Sequence, residues 1–259
     1  SWECDLIGHL NVSFYFGRSS DHAFFTRHAL AMSPSQMRAQ NIGTVALEEH
    51  VRFHREVASG GTMIGRSAPT EIGEKTMTIH QEFRDSEANL LCTFKTRIGH
   101  FDTAARRLVP WREATLEAAH KYQITQPDFS APKFLSGNGR VPAITREQTQ
   151  AEGFVRCGGA GVNSWECDQF GHMNTMFYAR RLTEAAPHMW RAMGHDLLDG
   201  VQQGLGSVVG EHRHIQKRCS FHRNKRALFI FKRRVVPCLR GRIRTPPFPE
   251  AFGAPPRSP

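Results

Sequence analysis

The chain has 259 residues, 39% of them hydrophobic, with a formal net charge of +10, a length that holds one large domain or two of ordinary size. No run of about 18 apolar residues occurs, so no membrane-spanning helix is expected. Six cysteines without a C-x-x-C pair point to free thiols in a reducing compartment, with a cytoplasmic location expected, and against a disulfide framework. The positive charge is concentrated: residues 213–259 hold 13 Lys and Arg against one acid, Glu250, and the rest of the chain is nearly neutral. A nucleic-acid partner would therefore rest on that tail alone and is not expected.

Residues 1–15 read SWECDLIGHLNVSFY and residues 164–178 read SWECDQFGHMNTMFY, identical at ten of fifteen positions. Such a repeat at a fixed offset of 163 residues predicts two copies of one structural unit. Polar residues are kept at set spacings while apolar filler varies, the pattern of a site rather than of a core. The chain opens on the motif itself, with no leader and no strand before it, so the first unit is expected to lack its N-terminal strand.

A long amphipathic helix is predicted to start near Asn11, which is placed to cap it, and to end before Ser33-Pro34; its apolar stripe runs through Phe14, Tyr15, Phe24, Phe25 and Leu30. Ser33 before a proline predicts a second, short helix. Strands follow over 44–57, 62–69, 75–85 and 89–102, separated by turn compositions at hairpin spacing. A helix and an antiparallel meander make an α+β unit over residues 1–112. Residues 113–160 form a linker, helical near 114–121 and irregular over 126–142. The second unit spans 161–218, preceded by a strand before Ser164, with Pro187 expected to kink or shorten its long helix. The match to the first unit ends at Arg218, opposite Arg55. Residues 219–259 are a basic, Pro-rich tail, expected to derive from an altered reading frame or a degraded C-terminus. Within it only 227–231 reads as a strand, so the second unit is expected to be incomplete.

Asp-x-x-Gly-His-x-Asn-x-x-x-Tyr before a long helix and a β-meander resembles the hot-dog acyl-CoA thioesterases of the 4-hydroxybenzoyl-CoA thioesterase type. The likeness covers residues 1–111 and 164–218. It implies a sheet wrapped around each long helix, two tandem hot-dog units pairing with one another in a double hot-dog, and hydrolysis of an acyl-CoA thioester between them, without a cofactor. Homo-oligomers are compatible with it. By the motif, Asp5 and Asp168 take the role of nucleophile or general base; His9 and His172 orient loop or substrate, and Asn11 and Asn174 cap the helix or hold a water. Tyr15 and Tyr178 touch substrate or belong to the core. Glu48 and Glu211, matched across the repeats, are candidates for a second carboxylate. Independently, a short Asp beside a helix start puts a carboxylate next to unpaired backbone N–H groups that can polarise a thioester carbonyl.

Plainer readings exist for each residue. An Asp or Asn near a helix start is commonly a cap, Trp2 and Trp165 are read as core or pocket wall, and Cys4 and Cys167, with no paired base, as packing residues. No metal is expected, because Cys4, Asp5 and His9 suit no common zinc spacing. The alternative function is a non-catalytic acyl-CoA-binding or protein-interaction double hot-dog in which the motif persists as scaffold.

Overall fold

The structure is a computed structural model that describes residues 2–5, 7–133, 145–151, 154–168, 171–202, 209–215 and 227–232. Helix α1 (Val12–Ala29) begins where Asn11 accepts a hydrogen bond from the Ser13 N–H, and Arg27 and His28 sit in its last turn, where the helix dipole favours them. Helix α2 (Pro34–Ala39) starts with a capping box between Ser33 and Gln36. Four antiparallel strands follow: β1 (Ile42–Phe53), β2 (Ile64–Ile72), β3 (Thr76–Arg84) and β4 (Leu90–Asp102). The two-residue β5 (Arg107–Leu108) pairs with β4, and α3 (Glu113–Lys121) follows. Pro69 lies at a register shift of β2, an edge strand, where its missing N–H is tolerated.

The second half contains α4 (Arg146–Ala151), β6 (Phe154–Ala160), α5 (Thr175–Ala192), α6 (Leu197–Gln202), β7 (Glu211–Ile215) and β8 (Ala227–Lys232). Strand β6 is the one expected before Ser164. Helix α5 runs 18 residues, as α1 does, with Pro187 inside it; of the expected kink or shortening, the shortening does not occur. Ala179 and Ala185 on its buried face hold it in place, Ala185 against Gly158 of β6. Strand β8 lies in the stretch read as tail and pairs antiparallel with β6. The remaining expectations for 219–259 and for 134–142 lie outside the described residues.

The main sheet has the order β2-β3-β4-β1-β7 and wraps α1. One core cluster joins Tyr15 and Phe16 of α1 to Val51, Phe83, Leu91 and Phe94 of the sheet and to Ala179 of α5. A second gathers Leu30, Met32, Met37, Met77, Ile79 and Trp111 at the far end of α1. Between them the buried face of α1 is polar, carrying Ser19 and Thr26, whereas Phe24 and Phe25 are exposed. The apolar stripe read from the sequence is thus only partly the buried face. Trp2 and Trp165 are also exposed, Trp2 resting edge-on against Phe14, so neither is core.

Strand β7 extends the sheet by pairing Glu48 with Ile215, His50 with Arg213 and Arg52 with Glu211. Under the 163-residue offset Glu211 corresponds to Glu48 and Ile215 to Arg52, so the ladder reads the same from either copy. A local two-fold runs between His50 and Arg213, as at an isologous interface. A buried hydrogen bond between His50 Nε2 and Glu211 Oε1 crosses this ladder. Alongside, α5 packs on α1 closely enough that a Cβ at Gly17 would stand 3.1 Å from Met176 Sδ.

Candidate active site

Both motif copies fold into the same loop. In the first, the Asp5 N–H donates to the His9 carbonyl (2.8 Å) and the Gly8 N–H to the Asp5 carbonyl (3.1 Å). In the second, Asp168 N–H to His172 carbonyl is 2.7 Å and Gly171 N–H to Asp168 carbonyl 2.9 Å. The glycines sit at φ +83° and +74°, which L side chains rarely adopt, and this explains their place in the motif. One carboxylate oxygen of each Asp ties the loop: Asp5 Oδ1 accepts from the His9 N–H and Asp168 Oδ1 from the His172 N–H, both at 3.0 Å. Asn11 and Asn174 then cap α1 and α5. Each loop is anchored to its helix by an ion pair, Glu3 with Arg18 at 2.8 Å and Glu166 with Arg181. Arg18 and Arg181 stand at the same offset, a signal that was present in the sequence beyond the fifteen matched residues.

The loops differ in what they face. The second borders a cleft of about 530 Å³ through Asp168, His172, Met173, Asn174 and Thr175, and the opposite walls come from α1, α2, β1, β3 and β4. That volume lies in the range of small-molecule sites. One end is apolar, with Leu30, Met32, Met37, Ile79 and Ile98; the other is polar, with Ser19, Thr26, Glu49, Gln81 and Thr96. The first loop borders a hollow of about 130 Å³ beside Val57–Gly61 through Glu3, Cys4 and Leu10, and Asp5 does not line it.

Glu49 is the unusual group in the large cleft. It is 5% exposed on β1; Thr96 Oγ1 donates to its Oε1 at 3.4 Å, and its Oε2 is buried without a hydrogen-bond partner among the described residues. Burial pushes its carboxyl up from 4.5 to about 7, against the opposing influence of the Thr96 and Ser19 hydroxyls. Ser19 Oγ donates to Gln81 Oε1 at 2.5 Å, completing a polar wall from α1, β1, β3 and β4.

Of the residues singled out in the sequence, Asp168, His172 and Asn174 come together at the cleft. His9 instead lies 3.4 Å from Glu56, at the loop's pairing with Ala58. Tyr15 is core, and its hydroxyl is held well above the usual phenol range by burial and by the neighbouring Cys92; Tyr178, its counterpart, is half-buried. Glu48 is half-buried on β1, and Glu211 is taken up by His50 and the Lys133 N–H; neither lines the cleft. Glu49 escaped the sequence reading because its counterpart is His212, so the repeat pointed one residue away. Cys4 and Cys167 are half-buried free thiols. Among the described residues no group of three or more His, Cys, Asp or Glu is arranged to hold a metal ion, and no helix is long and apolar enough to cross a membrane.

A family model described as the Thioesterase-like superfamily matches residues 1–119. No curated protein sequence matches the chain. Among solved structures, an acyl-ACP thioesterase from Bacteroides thetaiotaomicron is similar with a TM-score of 0.57 at 11% identity, covering 74% of this chain and 72% of that one. The 12:0-ACP thioesterase from Umbellularia californica gives 0.54 at 14% identity, over 73% and 72%. A protein described as an oleoyl thioesterase from Lactobacillus plantarum gives 0.57 at 12% identity, over 74% and 70%. With a long helix wrapped by an antiparallel sheet and these structural likenesses, the fold is the hot-dog fold of thioesterases.

Proposed function

We propose that the protein hydrolyses an acyl thioester in the 530 Å³ cleft, as a tandem double hot-dog whose two halves each contribute to that cleft. The observation that carries this is the placement of Asp168 and the start of α5 against the sheet and α1 of the other half. The self-similar β1–β7 ladder and structural likenesses reaching well past residue 119 support the tandem reading. The N-terminal amides of α5 carry the helix's partial positive charge and border the cleft at Thr175, where they can stabilise the oxyanion that forms on the carbonyl. Asp168, with one oxygen fixed by the His172 N–H, presents its carboxylate at the rim to attack the carbonyl carbon or to assist a water.

The apolar end formed by Leu30, Met32, Met37, Ile79 and Ile98 suits a hydrocarbon acyl chain. The carrier reads as a phosphopantetheine thiol, the chemistry common to CoA and acyl carrier protein. The loop bonds of Asp5 and Asp168 alone would equally serve a non-catalytic acyl-thioester-binding scaffold, and turnover separates the two readings. Free-thiol release from a panel of acyl-CoA and acyl-carrier-protein thioesters is the test. Saturable release from either carrier supports hydrolysis, and saturable binding without release establishes the scaffold.

A further inference from the structure

The inner wall of the cleft holds a carboxyl that the repeated motif does not account for. Glu49 Oε2 is enclosed and has no hydrogen-bond donor among the described residues, while Thr96 engages Oε1. Buried acceptors are normally satisfied, so an unpartnered one on a residue that lines a cleft marks where a hydrogen-bearing molecule belongs. The charged and titratable groups sharing the cleft are Arg27 of α1, Arg38 of α2, and Asp168 and His172 of the second motif; α1, β3 and β4 add the neutral Ser19, Gln81 and Thr96. Burial around Glu49 is not offset by a paired cation among the described residues.

We infer that Glu49 is the catalytic base of the cleft, receiving the proton of the water that attacks the acyl group; this rests on the thioester reading above. As the water oxygen bonds to the carbonyl carbon, its proton passes to Oε2. The C–S bond then breaks and that proton goes to the leaving sulfur, so thioester and water become carboxylic acid and thiol, and Glu49 returns to its ionised form. Where Asp168 attacks first, the thiolate leaves and the water opens the resulting anhydride. Glu49 takes the proton in that step, the Asp168 carboxylate is regenerated and the thiolate receives the proton. Burial holds the Glu49 carboxyl at about 7, so the ionised base becomes the major form as pH rises through that value.

The experiment compares the full chain with Glu49→Gln and Glu49→Asp, following thiol release from acyl-CoA from about pH 5 to 9, with the thermal midpoint recorded for each. Wild-type kcat/KM is expected to rise with pH through about 7. Glu49→Gln should lower kcat by about a hundredfold or more with KM little changed and no rising limb. Glu49→Asp should keep the limb at reduced rate, which holds the test open should the Gln variant fail to fold. A folded Glu49→Gln protein with wild-type kcat and an intact limb would overturn the assignment while leaving thioester hydrolysis standing. A wild-type protein that releases no thiol removes the hydrolytic reading and this one together.

Discussion

Glu49 enters the folded state at a cost that depends on pH. Its folded carboxyl titrates at about 7 rather than 4.5, so the native state takes up protons that the unfolded chain has already released. A raised folded value gives stability that is complete below about pH 4.5 and lost as pH rises through about 7; the loss is on the order of 3 kcal/mol. Denaturant midpoints should therefore fall between pH 5 and 8, and Glu49→Gln should flatten that dependence. An unchanged slope in the variant would mean that other groups set it. Asp168 is a separate case. Asp168→Asn keeps an oxygen for the His172 N–H, so the loop should persist while thioester turnover falls about a hundredfold or more. Asp5→Asn, in the loop that borders the small hollow, provides the comparison for the opposite half.

The two copies of the loop use one ion pair at different depths. Arg18 is 40% exposed against Glu3, whereas Arg181 is 9% exposed against Glu166 and also reaches Glu184 and the Gly161 carbonyl. Removing one partner of a buried pair strands the other, at roughly 3–5 kcal/mol; a solvated pair is worth about 1 kcal/mol or less. Arg181→Ala should accordingly destabilise the protein far more than Arg18→Ala, and equal losses in urea unfolding would contradict this assignment. Local signals made most elements legible in the sequence. Asn11 and Ser33 cap as their residue types require, and strands 44–57, 62–69, 75–85 and 89–102 fall within a few residues of β1 to β4. Two features were not legible. The register shift between Ala46 and Glu48 arises from pairing with β4, and it left Glu49 rather than Glu48 on the cleft wall. The buried side of α1 bears Ser19 and Thr26 because it lines a cleft, and a search for apolar periodicity passes over such a face.

At the scale of the molecule, the second half supports the first through one strand and one helix. Strand β7 covers the edge of β1, and α5 places Ala179 in the core beside Tyr15 and Phe16. Ending the chain at residue 202 should bare the β1 edge and speed hydrogen exchange at its β7-facing amides. Ending it at 218 removes β8, which pairs with β6 and not with the main sheet, and should leave β1 to β4 as protected as before. Equal protection after both truncations would show that β7 does not support the sheet. The proposed pairing of halves has its sequence basis in the repeat, since a unit matched twice in one chain can supply both sides of an interface. The side chains that meet there could not be read from it, because that meeting depends on contacts between residues more than a hundred positions apart.

In the proposed function, Asp168, supplied by one half, acts on a thioester bound against the sheet of the other. The most direct test of this role is the rate of thiol release from saturating acyl thioester by wild-type protein and by Asp168→Asn, each shown by thermal unfolding to be folded. Steady multiple turnover by the wild type is expected, with a loss of about a hundredfold or more in the variant. Equal turnover by the two folded proteins, or none by the wild type with either carrier, would contradict it.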